Sequence, residues 1–458
     1  MLTLDPRLAD WRALPSRLII ELAIRGMACH GGCGMFDLCL FDLDDTLLRT
    51  SDLSDIRPQG VGKQDDEAYA TELLRRFGDP VQRYIYTPER LASLKTRWPE
   101  MRFGIFTRAP WAYAKAIVDR AYPDFDWDTG VVYETVPKGH HKPDGWGIRE
   151  CMSRLEIEDP QRVVMVGDET VDVKAAYNAG CYVVLDKTSW AHGQWDGRRH
   201  FAALELIPDA VISGPAELAE VISDIGAYAP KLEWEFNGSQ DHRHQPRFSA
   251  VNHFYPANLG EPDKAREEIH SAGRHFSDYE SLDNRRAWHT LTHSIHQNKD
   301  RQVFPVEWCA AVYAFVQRSN PFMALTNQTV TVAAIPARPD RLPRMQHFIA
   351  QLHGDFRRRP PIGQTHDSVQ FSNDFLAYTA GVRSQSGEHL NRIERFENVR
   401  DHLIVSNPGA VRGKDFVIID DVCTTGATLM YAKKRLIEAG ARQVKLLALT
   451  KNVSNVLS

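Results

Sequence analysis

Cysteine is scarce in this 458-residue chain: there are seven, an odd number, scattered from Cys29 to Cys423. That excludes a disulfide-stapled scaffold and suits a reduced, cytoplasmic setting. No apolar run reaches the ~20 residues that a membrane crossing needs, so no membrane contact is expected. The opening segment lacks the basic head and long apolar core of a secretory signal. An excess of positive charge is missing too, since the formal net charge is −5. Bulk electrostatic attraction to nucleic acid is thereby disfavoured, leaving a local basic groove as its one route. Internal repeats and low-complexity tracts are absent. What remains is a globular composition, 43% apolar, with length for two or three domains at roughly 100–200 residues each.

Short apolar runs then organise the chain. Leu38–Phe41, Phe103–Phe106, Val163–Val166 and Tyr182–Leu185 each end in a polar residue or glycine and precede a helix-like stretch. Such alternation predicts a parallel sheet with helices on its faces. Ligands of open sheets collect at the carboxyl ends of the strands, so reactive residues are expected just after each run. The charged, helix-prone residues at about 52–100 suit a small cap that excludes water. Residues 227–304 are polar, His-rich and punctuated by Pro and Gly, and read as a linker or irregular connecting module. A buried-face helix is expected over Val306–Arg318. A second strand series follows in Val330–Ile335, Phe416–Ile419 and Val444–Leu449.

The run LCLFDLDDTLL puts Asp42 and Asp44 directly after a strand. A carboxylate there can attack phosphorus and form an acyl phosphate. A second, two residues on, can protonate the leaving oxygen and then activate water. Two acids this close repel one another, so a divalent cation is needed to keep the nucleophile ionised. Oxygen ligands select Mg²⁺, and VVMVGDETVD offers Asp168 and Asp172 after another strand. Metal contact is expected at Asp42, Asp44, Asp168 and Asp172. Transferred phosphoryl oxygens need donors. The hydroxyl of Thr107 in FGIFTRAP and the ammonium of Lys142 in HHKPDGWG supply them. Lys138 competes for the cationic role, but Lys142 is the one that precedes Pro. Asp45 reads as a solvated or capping residue.

These four segments, in this order, resemble the haloacid dehalogenase-like (HAD) superfamily. The resemblance covers roughly residues 36–226. It implies Asp42 as nucleophile, Asp44 as general acid/base, Thr107 and Lys142 on the phosphoryl group, and Asp168 and Asp172 on Mg²⁺. An acid at position 44 suits a phosphatase, which must protonate a poor leaving group.

A second chemistry is written in DFVIIDDVCTTGATL. Two acids, Asp420 and Asp421, end a strand and can accept hydrogen bonds from ribose hydroxyls. The turn Thr424, Thr425, Gly426, Ala427 and Thr428 opens a helix whose first amides form an anion cradle. Gly426 lets the backbone approach a phosphate. The segment resembles the type I phosphoribosyltransferases, and within them a ComF-like branch. The match spans about residues 305–453 and includes Pro336–Arg338 as a diphosphate loop. Gln385, Arg395 and Asn398 match signals that precede the acidic strand. The resemblance implies phosphoribosyl diphosphate (PRPP) with Mg²⁺, the ribose on Asp420 and Asp421, the 5′-phosphate on residues 424–428, and Arg338, with Arg395 second to it, facing diphosphate or the closing loop. No cysteine-rich zinc module precedes this segment, so a DNA-uptake role is not carried over.

Other signals are thin. Cys29, His30 and Cys33 are too few ligands for a structural zinc site. His289, His293 and His296 share a helical face by spacing; a metal site is one reading there, but a His-rich solvated helix is the preferred one. His242 and His244 read as linker residues, and Arg357–Arg359 as a solvated turn.

The expected architecture is therefore α/β throughout. Residues 1–34 form a leader helix and connector, and 35–226 a Rossmann-like parallel sheet with a small helical cap. The linker spans 227–304, and residues 305–458 form a type I phosphoribosyltransferase α/β domain. The expected partners are phosphoesters and PRPP or a nucleotide, with a homo-oligomer left open. The leading reading is a bifunctional Mg²⁺-dependent enzyme of nucleotide-like metabolism. Two alternatives stay open: a phosphatase regulated by a PRPP- or nucleotide-sensing domain, and a nucleic-acid end-processing phosphatase.

Overall fold

Strand Leu38–Phe41 is buried from end to end, and so is Val163–Gly167. Continuous burial of this kind needs helices on both faces, the condition of a parallel sheet. The computed structural model describes residues 35–191, 202–237, 247–256, 259, 266–323, 328–339, 341–361, 364–365, 367–383, 390–454 and 457. The leader with Cys29, His30 and Cys33 lies outside these residues, as do His242, His244 and Gln385.

The first sheet holds β1 (Leu38–Phe41), β2 (Arg102–Phe106), β3 (Thr129–Val131), β4 (Val163–Gly167), β5 (Tyr182–Asp186) and β6 (Ala210–Ile212). Its order is β3-β2-β1-β4-β5-β6, parallel throughout. Strand order reverses at β1, which pairs with both β2 and β4. Phe41 stands opposite Ile105 on one side and Val166 on the other. The residues that follow these three strands therefore emerge at one edge, at the switch point where ligands gather. One core packs Phe41, Tyr86, Tyr113 and Val166 on one face. Leu40, Phe106, Ile148, Met165 and Val173 fill the other.

The helices expected to form a cap are Glu67–Phe77 and Pro88–Arg97. Asp66 caps the first by accepting from the Tyr69 amide at 2.9 Å. Both belong largely to the body of the domain, because Leu73, Phe77, Leu91 and Leu94 are buried in its core. Within this segment, the loop around Ser51–Arg57 is what reaches the strand-end cavity.

The polar stretch 227–304 is more than a linker. It contributes β7 (Ser249–Phe254), β8 (Arg266–Ser271) and β9 (Arg274–Phe276) to the second sheet. The rest of the strands are β10 (Val330–Ala334), β11 (Val369–Phe371), β12 (Leu376–Tyr378), β13 (Leu403–Val405), β14 (Asp415–Cys423) and β15 (Gln443–Val453). The second sheet runs β11-β10-β14-β15-β8-β7, with β9 also on β15, while β12 and β13 pair separately. Strands β10, β11, β14 and β15 are parallel neighbours, and β7 is antiparallel to β8. The added strands bury only alternate residues, Val251 and His253 in β7 and Ile269 and Ser271 in β8. They therefore carry no apolar run to betray them.

The two halves meet through buried charge. Arg274, 1% exposed, donates to Asp209 Oδ1 at 2.8 Å, to the Tyr177 hydroxyl at 2.8 Å and to the Ile207 carbonyl at 3.0 Å. It also pairs with Glu233. Arg285 joins Asp209 and donates to the Cys181 carbonyl at 2.7 Å. Burial opposes charge on Asp209, but Arg274 and Arg285 outweigh it and hold the carboxyl below its usual range. Gly180 makes the approach feasible: it sits at φ 86°, and a Cβ there would lie 2.7 Å from Asn284 Cβ. Phe276, Leu282 and Val453 extend the first domain's core across the junction.

The helix Thr290–Gln297 does not gather its histidines. His289 is its N-cap, buried against Glu233 at 3.3 Å, while His293 and His296 are exposed. His296 instead meets His275, with Nε2 atoms 3.2 Å apart.

Candidate active sites at two strand edges

Asp42 leaves β1 with its amide still bonded to the Val166 carbonyl at 2.9 Å, so the sheet itself aims the side chain. Lys142 Nζ donates to Asp42 Oδ1 at 2.6 Å and to Asp172 Oδ1 at 2.8 Å. Asp172 Oδ2 accepts the Glu169 amide at 3.0 Å. Gly167 is needed beneath it, because a Cβ there would lie 2.4 Å from the Asp172 carboxyl carbon. Thr46 Oγ1 donates to Asp168 Oδ1 at 3.0 Å. Ligand oxygens of Asp42, Asp168 and Asp172 all fall within 4.8 Å of one another. Thr107 is buried at the end of β2, and its hydroxyl accepts the Ala109 amide at 3.0 Å. Lys138 is not in this group.

Asp44 departs from the expected metal set. Its carboxylate turns away from the three-acid cluster toward Thr50 Oγ1 at 2.6 Å, the Tyr113 hydroxyl at 2.8 Å and Arg57 at 3.0 Å. These three donors satisfy the carboxylate without a metal ion. Asp45, at φ 57°, accepts from the Thr50 amide and the Ser51 hydroxyl, and so closes the turn.

Crowding sets the electrostatics. Burial pushes Asp42 up to about 7, with Lys142 pulling it down and Asp172 and Asp44 pushing it further up. Asp168 is raised well above the usual range by burial and then by Asp172 and Asp42. Buried carboxyls that repel one another, with oxygen donors alone, fit a hard divalent cation such as Mg²⁺. They surround a cavity of about 870 Å³ whose rim carries Arg57, Arg108, Tyr133, His141 and Trp190. Tyr133 and His141 stack with ring centroids 4.4 Å apart. Trp190 Nε1 donates to the Asp168 carbonyl at 3.1 Å. Tyr113, Arg57 and Trp190 escaped sequence reasoning because each lies in a separate segment without a motif.

At the second edge, β14 ends in Asp420 and Asp421, and the helix Ala427–Glu438 starts after Gly426. Gly426 has φ 78°, and a Cβ there would meet the His253 ring at 2.7 Å. Burial raises Asp420 to about 7 against the pull of Arg344 and Arg338. Arg344 pairs directly with Asp421. Arg338 lies over the Tyr378 ring, 5.8 Å from its centroid. Two cations thus face two acids beside the turn. Arg395 is directed elsewhere, donating to the Leu390 carbonyl at 2.8 Å. Asn398 pins residue 383 through two backbone bonds of 2.8 and 3.0 Å. Arg344, His253 and Lys451 carried no sequence signal.

Family comparison matches one segment in each half of the chain. The family described as haloacid dehalogenase-like hydrolase matches residues 117–185, and the phosphoribosyl transferase domain matches residues 369–456. No curated protein matches the chain. Among solved structures, a haloacid dehalogenase-like hydrolase of Bacteroides fragilis is 23% identical, covering 40% of this chain and 99% of its own, with a TM-score of 0.30. A HAD-superfamily hydrolase of Geobacter sulfurreducens is 12% identical, with coverages of 42% and 100% and a TM-score of 0.28. One from Ehrlichia chaffeensis is 13% identical, with coverages of 42% and 99% and a TM-score of 0.29. The chain is a fusion of a haloacid dehalogenase-like hydrolase domain with a phosphoribosyl transferase domain, both of enzyme families.

Proposed function

We propose that the first domain is a Mg²⁺-dependent phosphomonoesterase and the second a PRPP-dependent phosphoribosyltransferase, acting on one metabolite. The observation that carries the first half is the cluster of Asp42, Lys142, Asp168 and Asp172 at one strand edge. Asp42 Oδ attacks phosphorus as the ester P–O bond breaks, and Asp44 gives its proton to the leaving oxygen. Asp44 then takes a proton from water, whose oxygen attacks phosphorus and releases Asp42. Thr107 and Lys142 hold the equatorial oxygens. Asp42, Asp168 and Asp172 would hold Mg²⁺, which supplies charge neutralisation for the phosphoryl group.

In the second domain, Asp420 and Asp421 hold ribose hydroxyls and residues 424–428 the 5′-phosphate, with Arg338 on diphosphate. Bond exchange at the sugar C1 needs positioning and charge stabilisation rather than a protein nucleophile. The product carries a 5′-phosphate that the first site removes. We assign the protein to the cytoplasm; the five cysteines among the described residues are buried thiols outside any disulfide.

The test is incubation with PRPP, Mg²⁺ and a pool of bases. Wild type releases diphosphate and phosphate, and Asp42→Asn accumulates a phosphorylated nucleotide. An unchanged product pattern refutes the coupling. A second reading makes the phosphoribosyl transferase domain a sensor that gates the phosphatase. The charges of Arg344 and Arg338 beside Asp420 favour it, since cations already face a proposed ribose-binding acid. Phosphatase activity that responds to PRPP without diphosphate release distinguishes it.

A further inference from the structure

Three groups converge beneath the turn at Thr424–Gly426, and one of them comes from the other domain. Lys451 lies on β15 directly opposite Cys423, the last residue of β14. Its side chain is 7% exposed. Its Nζ donates to the Thr424 carbonyl at 2.9 Å and to the Asn452 carbonyl at 3.3 Å. Glu205 Oε1 stands 3.3 Å from the same Nζ. Glu205 belongs to the hydrolase domain, two residues before Ile207, whose carbonyl is tied to Arg274 at 3.0 Å. The buried junction therefore fixes the backbone beside this carboxylate. His253 supplies the third group, with its ring against Gly426 and Nε2 3.7 Å from Cys423 Sγ. Burial, then the Lys451 ammonium, pushes His253 down to about 4, so it packs there as a neutral ring.

A trans peptide points its carbonyl and its N–H in opposite directions. Drawing the Thr424 carbonyl toward Lys451 turns the Thr425 N–H to the other side. The ammonium also places positive charge behind a turn whose partner is an anion. Glu205 partly cancels that charge from across the domain boundary.

We propose that Lys451 is a positioning residue for the phosphate-binding turn and that Glu205 of the hydrolase domain attenuates it, so that the first domain sets the anion affinity of the second. This rests on the reading of residues 424–428 as a 5′-phosphate site. A lysine that only satisfies buried carbonyls would change stability alone, and Glu205 would be silent.

The experiment is calorimetric titration of the full chain with ribose 5-phosphate and with PRPP and Mg²⁺ at low ionic strength. Wild type, Lys451→Met, Lys451→Arg, Glu205→Gln and the Lys451→Met/Glu205→Gln double variant are compared. Lys451→Met weakens binding about tenfold, the scale of one hydrogen bond to a charged group. Lys451→Arg keeps the charge and restores most of it. Glu205→Gln tightens binding about threefold, the scale of a half-exposed ion pair. That gain vanishes in the Lys451→Met background, because no ammonium is left to release. Phosphatase turnover of Glu205→Gln stays at the wild-type value. A Glu205→Gln protein that binds as wild type does, or whose gain persists without Lys451, overturns the proposal while leaving the phosphate site standing. Wild type that binds neither ligand overturns the phosphate site and the proposal together.

Discussion

Lys142 Nζ stands 2.6 Å from Asp42 Oδ1, on a side chain that is 1% exposed. One buried ammonium thus neutralises the proposed nucleophile while also holding Asp172 at 2.8 Å. It competes with a metal for the same carboxylates. Lys142→Met is expected to lower phosphatase kcat by about 10²–10³, the usual loss for one transition-state donor. The same change is expected to lower the Mg²⁺ concentration at half-saturation. Magnesium titrations of turnover check both signs. A rise in the magnesium requirement would show that Lys142 helps to build the metal site rather than competing with it.

The raised carboxyl of Asp42 makes a statement about stability. Burial carries it to about 7 in the metal-free fold, whereas an unfolded chain releases this proton near pH 4. Between those values the folded state binds more protons, so stability falls as pH rises from about 4 to about 7. Asp420, also raised to about 7, acts in the same direction. Urea midpoints of chelator-treated protein are expected to drop across this window, and less steeply in Asp42→Asn. Added Mg²⁺ is expected to restore stability above pH 7. Equal slopes for wild type and Asp42→Asn would contradict this account.

At the domain junction, Arg274→Met leaves Asp209 and Glu233 buried with less compensation. Breaking a buried pair from one side costs about 3–5 kcal/mol, which urea unfolding measures. Glu233 is held well below its usual range: burial opposes its charge, but Arg274 and His289 outweigh it. The stability it adds is present above the ordinary carboxylate range and is lost as pH falls below it. The wild-type domains are expected to unfold in one transition near neutral pH. A change within 0.5 kcal/mol for Arg274→Met, roughly the scale of surface substitutions, would mean the network is not holding the halves together.

Gly426→Ala tests the second edge. The added Cβ would lie 2.7 Å from the His253 ring, at a φ of 78° that L side chains rarely adopt. Binding of ribose 5-phosphate is expected to disappear, with phosphatase activity unchanged. Retained binding would place the phosphate elsewhere.

Much of this was legible because both edges rest on fully buried parallel strands, whose runs end in the reactive residue. Leu38–Phe41 leads to Asp42 and Phe416–Ile419 to Asp420 on that rule. Strands β7 and β8 were not legible, since one face of each is polar and His253 looks like any linker histidine. The expected cap was misjudged in part because amphipathic helices such as Glu67–Phe77 read alike whether they cover a cavity or a sheet. Asp44 illustrates a further limit. The spacing of two residues cannot reveal that Thr50, Tyr113 and Arg57 hold its carboxylate beside the cluster of Asp42, Asp168 and Asp172. Arg274, Arg285 and Lys451 act across the domain boundary, where no local pattern exists.

The most direct test of the phosphatase chemistry is chemical capture of the acyl phosphate. Wild type would be quenched during turnover of a phosphomonoester with Mg²⁺, reduced with borohydride and sequenced by mass spectrometry. Homoserine is expected at position 42, with loss of both this signal and phosphate release in Asp42→Asn. Reduction at another residue, or phosphate release by Asp42→Asn at the wild-type rate, would contradict it.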